Sequence, residues 1–358
     1  MQTSPPSHAA DSRQLLITFD YELFLGNRSG FVDDCMIAPT NKIISLLAKY
    51  NAKAIFFVDT TYLLRLKKQA ETTPACEADF RKVAAQLCDL VAKGHFVYPH
   101  VHPHWLDAEY LAESNQWRLN NVEKYVFKNI SEKERSEVFD GSVRLLEEIL
   151  HPQFPDYKIN AYRAGGWSIQ PFTNFKPYFE KHKFLYEFSV LGGFYQFTDA
   201  QYFDFSLAPT KSIYRFNDDV CKEVANGPYV QYNISSIEIP STLSFVNKIF
   251  LKLHMKLFND HTFHKGEGQP SRILNHIKPE SSAGKDISDS QSERVAVELL
   301  TEVKLNRYNS FFDRYSYMHF ISHPKMITGH NLAVFDKFLK RAFNKYKIAT
   351  DFHTMKPE

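Results

Sequence analysis

The chain has 358 residues, 44% of them hydrophobic and 23% charged, a balance that excludes wholesale disorder. Its 13 glycines exclude a collagen-like or repeat-rich chain. Lysine and arginine number 43 against 41 acids, a formal net charge of +2, which supplies no global field for nucleic acid.

Residues 1–12 are polar and read as a disordered leader. No apolar signal-type region follows them, and no apolar run approaches the ~18 residues that span a bilayer, so a cytoplasmic protein is expected. The first strand follows at once with Leu15, Leu16, Ile17, Thr18 and Phe19, and it ends at Asp20 and Glu22. Apolar residues at 43, 44, 46, 47 and 50 have helical spacing. Residues 53–58 form a short apolar run suited to a buried parallel strand. Helical spacing returns over 78–93, and Gly94 stands where a helix stops. Residues 95–102 read as a third strand running into a loop.

Further along, Phe139, Val143, Leu146 and Leu150 mark a helix. Residues 158–164 read as a strand, 172–182 as a helix, and 184–190 as another strand. Residues 235–239 make a strand that Pro240 stops, and 315–322 make the last one. A closing amphipathic helix covers 331–346. Seven strands alternating with helices predict a single closed or nearly closed (β/α) barrel over 13–353. Residues 245–292 break this rhythm and read as an insertion. Within it, 246–258 is basic and apolar: it is expected to pack on the barrel, with peripheral membrane contact as the alternative. Residues 279–293 are polar and of low complexity, a mobile loop. Cys35, Cys76, Cys88 and Cys221 include no C-x-x-C pair and are expected to be reduced and mostly buried.

In a parallel barrel, reactive groups gather at the C-terminal ends of the strands. Asp20 and Glu22 are two apart, so an extended chain points both to one face. There they can bind a metal together, or one can bind it while the other acts as base. His100, His102 and His104 crowd five residues, flanked by Pro99 and Pro103. If Pro103 opens a helix, His100 and His104 can converge on one ion. Two histidines and a carboxylate are a catalytic zinc set that leaves a position for water. Arg163 can fork onto a carboxylate, Gly165 and Gly166 permit close approach, and Trp167 reads as a packed turn residue or a sugar-stacking wall. His319 and His323 are separated by about 13 Å on an extended strand. His323 is nearer the site, and His319 is expected to be a satisfied interior histidine.

These segments, in this order, resemble the polysaccharide deacetylases with NodB homology, carbohydrate esterase family four. ITFDYE (17–22) matches the first motif, HVHPH (100–104) the second, YRAGGW (162–167) the third and SHPK (322–325) the fifth. The resemblance runs from about residue 13 to 330 and implies an irregular (β/α)7 barrel of the NodB type. Carried over, Asp20 is the base, Glu22 the metal acid, and His100 and His104 the metal histidines. Arg163 tethers the base and His323 is the general acid. In YEFSVLGG (186–193), Glu187 matches the acid that supports the arginine. Three departures stand out. Tyr21 separates the two acids, which are adjacent in the family, and this leaves open whether Asp20 or Glu22 binds the metal. Ala164-Gly165 replaces a Pro-Pro pair, and Glu187 replaces an Asp.

The implied activity is metal-dependent removal of N-acetyl groups from an amino sugar or polysaccharide precursor. Zinc is the expected ion, with cobalt or nickel possible. A substrate linked to lipid or nucleotide fits the expected location. The alternatives are hydrolysis of another amide or a cyclic amide, or a non-catalytic carbohydrate-binding pseudoenzyme.

Overall fold

The computed structural model describes residues 12–119, 121–259, 265–268, 272–274 and 276–357. The expected leader therefore lies outside the described residues, apart from Ser12. Nine strands form the main sheet. They are β1 (Ser12–Tyr21), β2 (Ile55–Asp59), β3 (Phe96–Val101), β4 (Ala161–Ala164), β5 (Tyr186–Glu187), β6 (Ile213–Phe216), β7 (Tyr229–Tyr232), β8 (Tyr317–Ser322) and β9 (Lys347–Ala349). Their order is β6-β7-β5-β4-β3-β2-β1-β8, and β9 pairs with the start of β1. Every pairing is parallel except β6 with β7. β2 and β4 are buried along their whole length, as strands covered on both faces must be.

Eight α-helices accompany the sheet among the described residues: α1 (Ala38–Ala48), α2 (Thr60–Ala70), α3 (Pro74–Ala92), α4 (Glu132–Leu150), α5 (Lys176–His182), α6 (Ser241–Phe258), α7 (Leu305–Arg314) and α8 (Gly329–Lys345). Local chemistry sets several of their starts. The Asp59 side chain accepts from the Tyr62 N–H to begin α2. Reciprocal capping by Ser131 and Glu134 begins α4, and Thr328 with Asn331 does the same for α8. No helix among the described residues is long and apolar enough to cross a membrane.

The sheet is curled into a half-barrel. Arg163 on β4 reaches Thr18 and Asp20 on β1 and His319 on β8, so side chains of distant strands meet in the interior. Irregular chain that follows β7 and precedes β8 links the end of β5 to β8. Ile234 N–H donates to Val190 O, Val295 N–H to Ser235 O, and Ile321 N–H to Val295 O. This modifies the expected set of seven strands. Six of them lie in the main sheet, but 235–239 does not. Its core, Ser236–Glu238, pairs antiparallel with Ser292–Arg294 as a separate ribbon. The sheet instead gains the β6–β7 hairpin and β9. Antiparallel hairpins need no crossover helix, so they escape a search for strand–helix alternation.

Segment 246–258 is helical as part of α6, but it does not bury its apolar side. Asn247 alone is buried there. The expected polar loop contains Lys285–Asp286, which pairs with Phe194–Tyr195, and the ribbon strand Ser292–Arg294. All four cysteines are free; three are buried and Cys221 is half-buried.

Candidate active site

β1 carries the first two groups. Asp20 and Glu22 bracket its C-terminal end, two residues apart, and both are buried. Each divides its oxygens between a cation and the site. Asp20 Oδ1 accepts from Arg163 Nη1 at 2.6 Å, and Oδ2 faces His323 Nε2 at 3.6 Å and His100 Nε2 at 3.7 Å. Glu22 Oε1 accepts from Lys325 Nζ at 2.8 Å. Its Oε2 faces His102 Nε2 at 2.9 Å and His100 Nε2 at 3.5 Å. Burial alone would raise both carboxyls. For Asp20, Arg163 with His100 and His323 outweighs it and holds the acid below its ordinary range. For Glu22, Lys325 and His102 do so, and the acid lies well below that range.

β3 supplies the histidines. The chain stays extended through His102, and Pro103 then begins a short 3₁₀ turn over Pro103–Asp107. His100 and His102 are thus two apart on extended chain and share a face. Their Nε2 atoms are 3.0 Å apart. His100 Nδ1 donates to the Arg163 carbonyl at 2.9 Å, which leaves the Nε2 lone pair for the site. The turn swings His104 away, and its ring stacks on Tyr125 with centroids 3.9 Å apart. Among the described residues neither of its buried ring nitrogens has a hydrogen-bond partner, and burial favours the neutral ring. His104 therefore does not join the group for which the sequence proposed it; His102 stands there instead. The physical reason is that the turn starts after His102, which preserves strand parity between 100 and 102.

Among the described residues, Glu22, His100 and His102 are the group whose donor atoms lie within 4.8 Å of one another. Ligand atoms around a tetrahedral zinc are roughly 3.3 Å apart, given bonds of ~2.0–2.1 Å. The three separations observed, 2.9, 3.0 and 3.5 Å, suit three corners of such a site. Among the described residues, buried Glu22 Oε2 has only the two histidine Nε2 atoms beside it, an acceptor grouped with ring nitrogens that a cation would satisfy. The residues present fit a divalent metal.

β4 contributes Arg163, fully buried over the Phe57 ring at 4.2 Å. Nε donates to Phe188 O, Nη2 to Thr18 Oγ1 at 2.8 Å, and Nη1 to Asp20. His319 completes this cradle: Nδ1 donates to Asn233 O and Nε2 accepts from Arg163 Nη2 at 3.2 Å. It is the satisfied interior histidine anticipated. Glu187 makes no ion pair with Arg163; it accepts from the Ser189 N–H and hydroxyl, and burial raises its pKa to about 7. Trp167 is buried against Phe203, a packed turn residue rather than a wall of the site.

His323, just past β8, turns its Nε2 toward both acids, at 3.6 Å from Asp20 and 3.8 Å from Glu22. Its Nδ1 donates to Glu298 Oε1 at 3.0 Å, and Arg294 holds the same oxygen at 3.0 Å. The Glu298 side chain is buried, yet the hydrogen bond from His323 and the charge of Arg294 lower its pKa. Sequence reasoning missed Glu298, because it ends no strand and carries no motif. It also passed over Lys325, although SHPK contains it. Asp59 at the end of β2 was missed too, though the strand-end rule points there. Trp105 Nε1 donates to it, and burial with nearby Glu22 raises its pKa to about 8.

No family model and no curated protein matches this chain. Several solved structures are similar at low identity. A Mycobacterium smegmatis protein provisionally assigned as a polysaccharide deacetylase aligns with 97% of this chain and 88% of its own, at 12% identity and TM-score 0.44. Puue allantoinase aligns with 98% and 91%, at 11% identity and TM-score 0.48. The catalytic domain of a peptidoglycan N-acetylglucosamine deacetylase from Eubacterium rectale aligns with 99% and 97%, at 10% identity and TM-score 0.36.

Proposed function

We propose that this chain is a metal-dependent amide hydrolase that removes N-acetyl groups from an amino sugar or polysaccharide precursor. The observation that carries the reading is one juxtaposition. Three metal-type donors, Glu22, His100 and His102, converge beside an Arg163-held Asp20 and a Glu298-held His323. A divalent ion in that set, zinc or else cobalt or nickel, supplies Lewis acidity and makes a water acidic near neutral pH.

The protein's own groups supply the rest. Asp20 stays ionised beside Arg163 and takes the proton of the attacking water through Oδ2. Arg163 fixes which oxygen is free, since Oδ1 is engaged. His323, oriented through Nδ1 by Glu298, presents Nε2 to the leaving amine and protonates it as the C–N bond breaks. Glu22 cannot share the role of base, because Lys325 holds one oxygen and the other faces the histidines.

The placement of Asp20 and His323 supports catalysis over a pseudoenzyme, because sugar binding alone needs neither a held base nor an oriented acid. These groups support metal-assisted hydrolysis; the amide bond and the N-acetyl sugar are taken from the motif resemblance. A substrate attached to a lipid or nucleotide carrier belongs to the same reading. The test is metal content by mass spectrometry on protein purified without added ions, followed by assays of acetate release from N-acetylated oligosaccharides and of ring opening of a cyclic amide. About one equivalent of metal with acetate release supports the proposal. Protein that holds no metal and takes up no added zinc overturns it, and turnover of the cyclic amide alone moves the substrate class.

A further inference from the structure

Helix α6 leaves a sorted surface uncovered. Phe245, Ile249, Leu253 and Leu257 are spaced four apart and lie on one face, with Val246 beside them. All five are exposed, Phe245 at 65% and Leu257 at 73%. Lys248, Lys252 and Lys256 each precede one of these apolar residues, so they form a second row along one edge of the stripe. Among the described residues none of the three makes an ion pair, and the helix contains no acid. The opposite side anchors it. Asn247 is buried and accepts from Thr301 Oγ1 at 2.6 Å. The rings of Phe250 and His254 pack on His330, with centroids 5.2 and 4.6 Å away. His330 lies in the first turn of α8, shortly after His323, so α6 is fixed at the site-bearing end of the sheet.

We infer that α6 seats the protein on an anionic lipid surface. An apolar stripe edged by unpaired lysines suits the boundary between acyl chains and negative headgroups. The charge row favours this occupant: an antiparallel second copy would set lysines against lysines and a parallel one would leave both rows unneutralised, whereas phosphate headgroups complement them. Phe245, Leu253 and Leu257 enter the interface, and the three lysines stay at headgroup level. The site would then work beside a bilayer and take its amide substrate from a lipid carrier; that last step rests on the hydrolase reading.

The test is co-sedimentation of the full chain with vesicles of phosphatidylcholine alone and of phosphatidylcholine with phosphatidylglycerol. Binding to the anionic vesicles only, weakening as salt rises, is expected. Leu253→Ser with Leu257→Ser should weaken it more than tenfold, and Lys248→Gln, Lys252→Gln and Lys256→Gln together by roughly a hundredfold. These positions are exposed, so melting temperature and metal content should match wild type. Wild type that stays in solution with both vesicles overturns the inference, as does a lysine variant that binds undiminished. A dimer in sedimentation velocity that the leucine variant dissociates also overturns it, in favour of a second copy. Vesicle binding by a protein that holds no metal and takes up no added zinc would sink the hydrolase reading and leave this one intact.

Discussion

Gly165 lies directly beneath the His102 ring. A Cβ built at 165 would stand 2.8 Å from His102 Nδ1 and 2.4 Å from Val101 O. The bare backbone of the third motif is therefore what allows the second motif to turn His102 into the site. Gly165→Ala should push β3 and His102 outward. The expected result is a loss of stability of about 1–3 kcal/mol and a metal affinity lowered about 10–100-fold. Thermal melting and zinc titration measure the two effects, and unchanged zinc affinity would show that His102 is not a ligand.

The two histidines that compete for the second ligand position separate cleanly. His102→Ala should take bound metal from about one equivalent to nearly none, because it removes a donor from the Glu22, His100 and His102 group. His104→Ala should keep the metal and lose stability instead, since its ring is stacked on Tyr125. Metal analysis of the two purified variants decides the matter. Loss of metal in His104→Ala with retention in His102→Ala would reverse the assignment.

Base and acid should be separable from metal binding. Asp20→Asn and His323→Ala should each lower kcat by about 10²–10⁴-fold while metal content stays at the wild-type level. Near-normal turnover in either variant, on a substrate the wild type hydrolyses, would remove that residue from its role.

Glu298 acts through His323. Glu298→Gln should lower kcat by roughly tenfold or more and leave KM and metal content nearly unchanged, because it loosens the ring that presents Nε2. A rise in KM with normal kcat would instead mean that Glu298 serves substrate binding.

Stability should fall in mild acid. Burial lowers the pKa of His95 to about 4, and its Nδ1 accepts from the Ala54 N–H. The folded pKa lies below the unfolded value of ~6.5, so the unfolded chain takes up the proton first as pH falls. The stabilisation is complete above about pH 6.5 and is lost as pH drops toward 4, by an amount on the order of 3 kcal/mol. His95→Asn keeps an acceptor and should flatten this part of the profile. Urea unfolding at several pH values measures it, and an unchanged slope would mean that other groups carry the acid sensitivity.

Much of the scaffold was legible in the sequence because it rests on local periodicity. Six of the seven expected strands enter the main sheet, and the parity of Asp20 and Glu22 follows from the two-residue repeat of any strand. The strand-end rule pointed to Asp20, His100, Arg163 and His323, which the fold brings together. Tertiary structure decided the rest. The choice of His102 over His104 depends on where the extended chain gives way to the turn at Pro103, and the close approach of Gly165 leaves room for the inward ring. Glu298 reaches His323 from a segment without a strand pattern of its own, held between β8 and the chain near Ser235. Spacing along the chain prescribes which neighbours share a face; only packing brings together residues that lie far apart in sequence.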